Sequence, residues 1–448
     1  MTTTETSTVF SGELDKDTAL ATERLSELES SRTALPPKAS RSSVEQQQAD
    51  DLLTQGSRLR NDFMTLHTAE VYDRLTDGYR RELRVSDLAY AASEQFPLLV
   101  PTREAIAEER QLPLKHKDGA SIAQGIFVSH VLNDERAGFH LIHSMTQPTP
   151  EAVNLLSEFR ETDRIELGTC YLERVGEVGY LTLNHQKYLN AEDDESTYAM
   201  EVATDIVLLD DRISVGVLRG AHSEHRKYTG RRVFDSGVNL TKLYHGQVSL
   251  IEFFIERELG LLNKWYRGHS LGDGAVSTVE HRREKPWVAG VETHAIGGGC
   301  QYLLVMDRVV AQAGSYFNLP ARKEGFIPGC GNLRLPRFVG ERVTRQGIFF
   351  NREIYVDSPE GRLVVDDIVT SETAMDTALE HAAHEAIGTG PVGVNANRTQ
   401  MRVGVEPIQV LQRYVANMAL GQAYCMSSPA IIRNLELAWD PKRRGGVK

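Results

Sequence analysis

The run Gly297-Gly298-Gly299 lies between two apolar stretches, Lys285–Thr293 before it and Cys300–Asp307 after it. Consecutive glycines carry the largest backbone entropy cost and contribute no side-chain packing. A chain that places three of them where a strand ends and a helix begins is using the bare backbone. The first amides of a helix have no internal partner and point outward with the positive end of the dipole. Without β-carbons, an oxygen can approach them closely, which is the layout of an anion or oxyanion site. Close packing of helix on strand is the alternative use of such glycines.

The neighbouring pattern predicts an α/β core. Val175–Asn184 reads as a strand, followed by a helix over "EDDESTYAMEVATDIVLLD". Arg212–Gly220, Lys285–Thr293 and Asp307–Ala313 are apolar runs of the kind found in buried parallel strands. Strands alternating with helices imply parallel pairing. Before this core, residues 62–164 have helical spacing, with Phe63, Leu66, Val71 and Leu75 near one face. Residues 1–60 are rich in Thr, Ser, Glu and Gln, and Ala34–Ser43 reads as a mobile linker. After about Ser371 the chain turns helical again.

Bulk properties exclude several classes. A net charge of −12 argues against nucleic-acid binding, although a local basic patch can still take an anion. The four cysteines, Cys170, Cys300, Cys330 and Cys425, form no CxxC pair and suit a reducing cytosol. The polar opening "MTTTETSTVFSGELD" is no secretion signal, and no run approaches a membrane span, so a soluble cytoplasmic protein is expected. The pairs His140/His143 and His381/His384 have helical spacing, but "HAAHE" is neither HExxH nor HxxEH, and no metal site is expected. "GTGPVG" (Gly388–Gly393) follows a helix and contains Pro391, the wrong context for a dinucleotide loop. The basic loop His222–Arg232, with Arg226 and Lys227, is either a solvated loop or a phosphate site.

Taken together, "LTLNHQKYLNA" (Leu181–Ala191), "VFDSGVNL" (Val233–Leu240), "KPWVAGVETHAIGGGCQYLLVMD" and "FNLPARKEGFIPGCGNLRLPRFVG" (Phe317–Gly340) resemble, in order, the crotonase or enoyl-CoA hydratase superfamily. The resemblance implies a ββα spiral that binds an acyl-CoA thioester. It divides the chain into a mostly helical extension (1–171, with 1–60 partly flexible), an acyl-CoA-binding core (172–370) and C-terminal oligomerisation helices (371–448). A homotrimer or dimer of trimers is implied, with the helices from Pro407 onward as its interface. The thioester carbonyl would be held by the amides of Val238 and Gly298, flanked by Gly297 and Gly299, with Arg226 and Lys227 available to coenzyme A phosphates.

Departures from the pattern narrow the chemistry. Hydratases of the superfamily carry two glutamates where this chain has Gln301 and Ala321. Neither replacement takes a proton at neutral pH, so water addition by paired carboxylates is not available. One branch is similar in its long helical extension, its Gln at the first glutamate position and its "HAIGGGCQ" wording: the 3,5-dihydroxyphenylacetyl-CoA 1,2-dioxygenases of glycopeptide-antibiotic biosynthesis. That resemblance implies reaction of a thioester enolate with O2 without metal, flavin or haem, giving 3,5-dihydroxyphenylglyoxylate and CoA. A thioester hydrolase, an isomerase or a non-catalytic acyl-CoA-binding protein are the alternatives.

Three more side chains stand out as substrate contacts. Glu192 is either a ring-hydroxyl acceptor or base, or a helix N-terminal carboxylate beside Asp193, Asp194 and Glu195. Arg257 is either a phenolate partner or a surface arginine beside Glu256 and Glu258. Gln301 is expected to hydrogen-bond a substrate or oxygen intermediate.

Overall fold

The computed structural model describes residues 10–270, 282–388 and 390–439. The two ends of the expected extension and C-terminal region, and Thr389 of the "GTGPVG" run, lie outside them. The N-terminal part is helical, with α1 Leu14–Thr33, α2 Ser43–Leu75 and α3 Ala120–Asn133 as its longest elements. Ser42 and Glu45 close a capping box that fixes where α2 begins. The expected linker Ala34–Ser43 is instead a short connection with a turn at Lys38–Ser40. Asp118 holds it, accepting from Arg41 at 2.7 and 2.8 Å and from Arg32 at 3.1 Å.

The core is a seven-stranded sheet. Its strands are β1 Arg164–Glu166, β2 Cys170–Val175, β3 Val178–Leu183, β4 Val215–Gly220, β5 Trp287–Val291, β7 Arg308–Gln312 and β10 Asp367–Val369, in that spatial order. β1, β2 and β3 are antiparallel and every later pairing is parallel. A second sheet joins β6 His294–Ile296 to β8 Tyr316–Asn318 in parallel, and β8 to β9 Ile354–Tyr355 antiparallel.

The chain alternates between these sheets in turns of strand, strand, helix. β5 and β6 lead into α5 Gly298–Leu303, after α4 Asp194–Leu209, which follows β3. β7 and β8 lead into α6 Ala321–Glu324. The turn starting at β4 lacks a full second strand, but Asp235 bridges Ala295 in its place before the helix Leu240–Tyr244. Val238 and Gly298 therefore occupy matching junctions of adjacent turns.

β5 is buried along its whole length, as a central parallel strand requires. Helix α7 Glu372–Ile387 covers the outer face with Met375, Leu379, Ala382 and Ala383. Helix α8 Ile408–Ser427 buries Leu411, Val415, Ala419 and Ala423. Its apolar stripe packs on α3 so tightly that a β-carbon on Gly125 would stand 2.8 Å from Ala423 Cβ. This stripe of α8 is thus occupied within the chain. Helix α9 Pro429–Ala438 follows.

Two large apolar clusters result. One joins the N-terminal helices to Val238–Leu259 and to α8; the other lies between the sheet, α4 and α5. Val238, Phe254 and Phe326 belong to the first, whereas Phe234, Tyr302 and Ala321 belong to the second. Among the described residues, no helix is long and apolar enough to cross a membrane.

Candidate active site

A small cavity sits on that seam, bordered by Glu192, Val238, Arg257, Gly297, Gly298 and Gln301 among others. It gathers six of the nine residues singled out from the sequence, and Gly299 follows Gly298 in the chain without lining it. Arg226 and Lys227 are not in it; both are exposed on the loop after β4. A larger cavity of about 250 Å³, lined from residues 139–146, 263–269 and 399–409, contains none of the nine.

Each of the three glycines has a separate steric reason. Gly297 has φ +56°, where a side chain is strained, and its Cβ position lies 3.3 Å from Gly237 Cα in the neighbouring loop. A β-carbon on Gly298 would overlap the Glu192 carboxylate and stand 2.6 Å from Arg257 Nη2. On Gly299 it would stand 2.6 Å from Asp235 Cβ. The bare backbone admits protein side chains as well as any ligand.

Backbone donors around the junction are committed, with two exceptions. The Gly297 amide donates to Asn318 O at 2.9 Å and the Gly299 amide to Asp235 Oδ1 at 2.9 Å. In the facing loop, the Gly237 amide donates to Asp235 Oδ1 at 2.7 Å and the Asn239 amide to Glu192 O at 2.6 Å. Among the described residues, the amides between them, Val238 and Gly298, donate to no protein group. Both residues line the cavity. Two uncommitted donors converging on one buried space can bind an oxygen that gains negative charge.

Glu192 is 1 % exposed and does not cap the following helix. Asp193 caps α4 through Ser196, leaving Glu192 one residue outside, turned into the core. Its carboxylate accepts from Arg257 Nε at 2.5 Å and Nη2 at 3.3 Å, and from the Tyr302 hydroxyl. The preceding turn is fixed because Asn190 Nδ2 donates to Val233 O at 2.7 Å.

Arg257 is 3 % exposed, so it is not a surface arginine. It starts the second of two π-helical segments, Leu250–Ile255 and Arg257–Leu262. π-turns are rare and collect at functional sites. The guanidinium also donates to Glu258 at 2.6 Å and to Gln301 Oε1 at 3.0 Å, and lies 4.9 Å from the Tyr302 ring centre. Burial works against its charge, but Glu192, Tyr302 and Glu258 outweigh that and hold it firmly protonated. Because a guanidinium only donates, Gln301 must present its oxygen there, leaving its NH2 as a further donor at the cavity.

Four residues that sequence reading passed over complete the site. Asp235 is fully buried, and burial and the nearby Glu192 charge push its carboxyl toward the neutral form. Tyr302 is likewise held as a phenol by burial and by Glu192. Glu258 shares Arg257, and Glu324 lines the cavity from the end of α6. The "FDSG" wording carried a usable signal, since an Asp two residues before a glycine marks an Asx turn. Nothing local marked the other three.

Three of the four histidines in the two pairs have ordinary partners: Tyr72 lies 2.8 Å from His140 Nδ1, Glu82 lies 3.0 Å from His143 Nε2, and Glu385 accompanies His381 at 3.6 Å. Among the described residues, no three His, Cys, Asp or Glu side chains converge as a metal-binding group.

The family described as enoyl-CoA hydratase/isomerase matches residues 273–424. Over 405 residues the chain is 42% identical to a (3,5-dihydroxyphenyl)acetyl-CoA 1,2-dioxygenase of Amycolatopsis orientalis, covering 90% of this chain and 91% of that protein. It is 28% identical over 244 residues to a short-chain-enoyl-CoA hydratase of Clostridium acetobutylicum, covering 54% and 84% of the two chains. An enoyl-CoA hydratase/isomerase crystal structure from Mycobacterium paratuberculosis shares the fold, with a TM-score of 0.50 at 14% identity, over 61% of this chain and 100% of that one. With the spiral of strand-strand-helix turns, these likenesses show that the chain belongs to the crotonase (enoyl-CoA hydratase/isomerase) superfamily, in the family of the Amycolatopsis dioxygenase.

Proposed function

We infer that this chain converts 3,5-dihydroxyphenylacetyl-CoA and O2 to 3,5-dihydroxyphenylglyoxylate and CoA through a thioester enolate, without metal, flavin or haem. The observation that carries the reading is the pair of uncommitted amides, Val238 and Gly298, set between neighbours that are all engaged. Its relationship to the Amycolatopsis enzyme supplies the substrate.

In this reading the thioester carbonyl oxygen accepts from both amides. Loss of an α proton moves charge onto that oxygen, and each preorganised donor lowers the barrier by roughly 3–4 kcal/mol. The benzylic enolate passes one electron to O2, and the two radicals join as a peroxide at the α carbon. The distal peroxide oxygen attacks the thioester carbon and the C–S bond breaks. Cleavage of the O–O bond with loss of the second α hydrogen leaves the α-keto acid. Both oxygen atoms enter the product, and all the electrons that reduce them come from the substrate.

The protein supplies position and charge. The Glu192–Arg257 pair and the Gln301 amide meet the ring hydroxyls and the oxygen intermediate, and the apolar wall excludes water. Arg226 and Lys227, exposed on their loop, serve the coenzyme A phosphates. Assembly as a trimer or a pair of trimers belongs to the same reading.

The test is O2 uptake by the purified protein given the thioester in the presence of a chelator. One O2 consumed per CoA released, with two labelled atoms in the product from ¹⁸O2, is expected. CoA release without O2 uptake would indicate a hydrolase. Binding without either, and without α-hydrogen exchange, would indicate an acyl-CoA-binding protein.

A further inference from the structure

The cavity contains three glutamates, and two are committed. Glu192 is paired with Arg257 and Tyr302, and Glu258 Oε1 accepts from Arg257. Glu324 is 8 % exposed and, among the described residues, makes no side-chain hydrogen bond or ion pair. It ends α6, where Gly325 at φ +91° turns the chain away. That places it one helical turn beyond Ala321. Beside its charged groups the cavity wall carries apolar side chains, including Phe254 and Phe326 with ring centres 5.7 Å apart.

We propose that Glu324 is the base that removes the α proton from the thioester held by the Val238 and Gly298 amides. This rests on the dioxygenase reading above. The Cα–H bond breaks, its electron pair enters the enolate, and the proton goes to a Glu324 oxygen. When the C–S bond later breaks, the CoA thiolate takes that proton and the carboxylate is regenerated. The second α hydrogen leaves to solvent as the peroxide collapses.

The environment suits the task. Burial pushes the Glu324 carboxyl up to about 8, with the Lys323 charge acting slightly against it. A carboxylate desolvated in this way is a stronger base than one in water, and its proton affinity falls near the working pH. The charged groups across the cavity, Glu192, Arg257 and Glu258, are engaged with one another. From α9, the neighbour of the α6 turn is the uncharged Asn434.

The experiment follows exchange of the α hydrogens of 3,5-dihydroxyphenylacetyl-CoA in D2O without oxygen, alongside O2 uptake in air and thioester binding by calorimetry. Glu324→Gln is expected to lower exchange and O2 uptake together by about 100- to 10,000-fold, with binding held within about threefold. Glu324→Asp is expected to recover exchange at least about tenfold over the Gln variant. Wild-type exchange that persists in Glu324→Gln within about threefold overturns the proposal. So does loss of thioester binding in both variants, which would make the carboxyl structural. If the wild-type protein neither exchanges α hydrogens nor takes up O2, the dioxygenase reading itself fails.

Discussion

Asp235 Oδ1 accepts the Gly299 amide at 2.9 Å while also accepting the Gly237 amide at 2.7 Å. A single buried side chain thereby sets the spacing of the loops that carry Val238 and Gly298. Since burial and Glu192 drive this carboxyl toward its neutral form, an amide should replace it well. Asp235→Asn is expected to keep near wild-type stability and turnover. Asp235→Ala strands two amides, at about 1–3 kcal/mol each, and lowers kcat more than it raises KM. Denaturant unfolding with steady-state kinetics checks this; equal losses in both variants would refute the bridging role.

Of the three glycines, Gly298 should tolerate a side chain least. Gly298→Ala must expel Glu192 and break its pair with Arg257, a loss of about 3–5 kcal/mol together with activity. Gly299→Ala crowds Asp235, at about 1–3 kcal/mol. Gly297→Ala is strained by its φ, also about 1–3 kcal/mol. Thermal unfolding of the three variants makes the comparison directly. A benign Gly298→Ala would contradict the packing described here.

The pattern of strands and helices was legible wherever burial is continuous along the chain. β4, β5 and β7 fall inside the apolar runs read as strands, and α4 falls on its predicted stretch. Glu192 and Gln301 stood out because a superfamily motif precedes the one and the other departs from the pattern, whereas Arg257 lies outside those motifs and its sequence left a surface position equally open. Their mutual hydrogen bonds were not readable, since they join residues 65 and 44 positions apart. Asp235 was hidden for the same reason: its second amide lies 64 positions away. The Ala34–Ser43 connection was misread because the residue that holds it, Asp118, is 77 positions from Arg41. Proline and serine suggest mobility locally, whereas the contact with a distant carboxylate cannot be read locally.

The buried Glu192–Arg257 pair is expected to matter for chemistry more than for stability. Arg257→Ala leaves Glu192 buried without compensation, which costs about 3–5 kcal/mol. Arg257→Met combined with Glu192→Gln removes both charges, and buried pairs exchanged for neutral groups are often tolerated. The double variant still leaves the buried Glu258 without its Arg257 partner, so it should unfold above Arg257→Ala but below wild type, and turn over the thioester poorly. A double-mutant cycle run in both stability and kcat/KM separates the two effects. Recovery of activity together with stability would make the pair a packing device only.

Glu324 ties activity and stability to pH in opposite directions. Its folded-state proton affinity is raised from the usual 4.5 to about 8. Between those limits the unfolded chain has already released a proton that the folded protein still holds. Stability from this group is therefore fully present below about pH 4.5 and declines as pH rises toward 8, by up to a few kcal/mol. Turnover needs the ionised carboxylate, so it should rise over the upper part of that interval and level off beyond it. Glu324→Gln removes the titration: the variant should be more stable than wild type at pH 8, yet about 100- to 10,000-fold less active. Unfolding midpoints at pH 5 and pH 8 for both proteins, with a pH profile of kcat for the wild type, make the check. A variant less stable than wild type at pH 8 would show that the carboxylate is held by contacts stronger than the apolar wall described here.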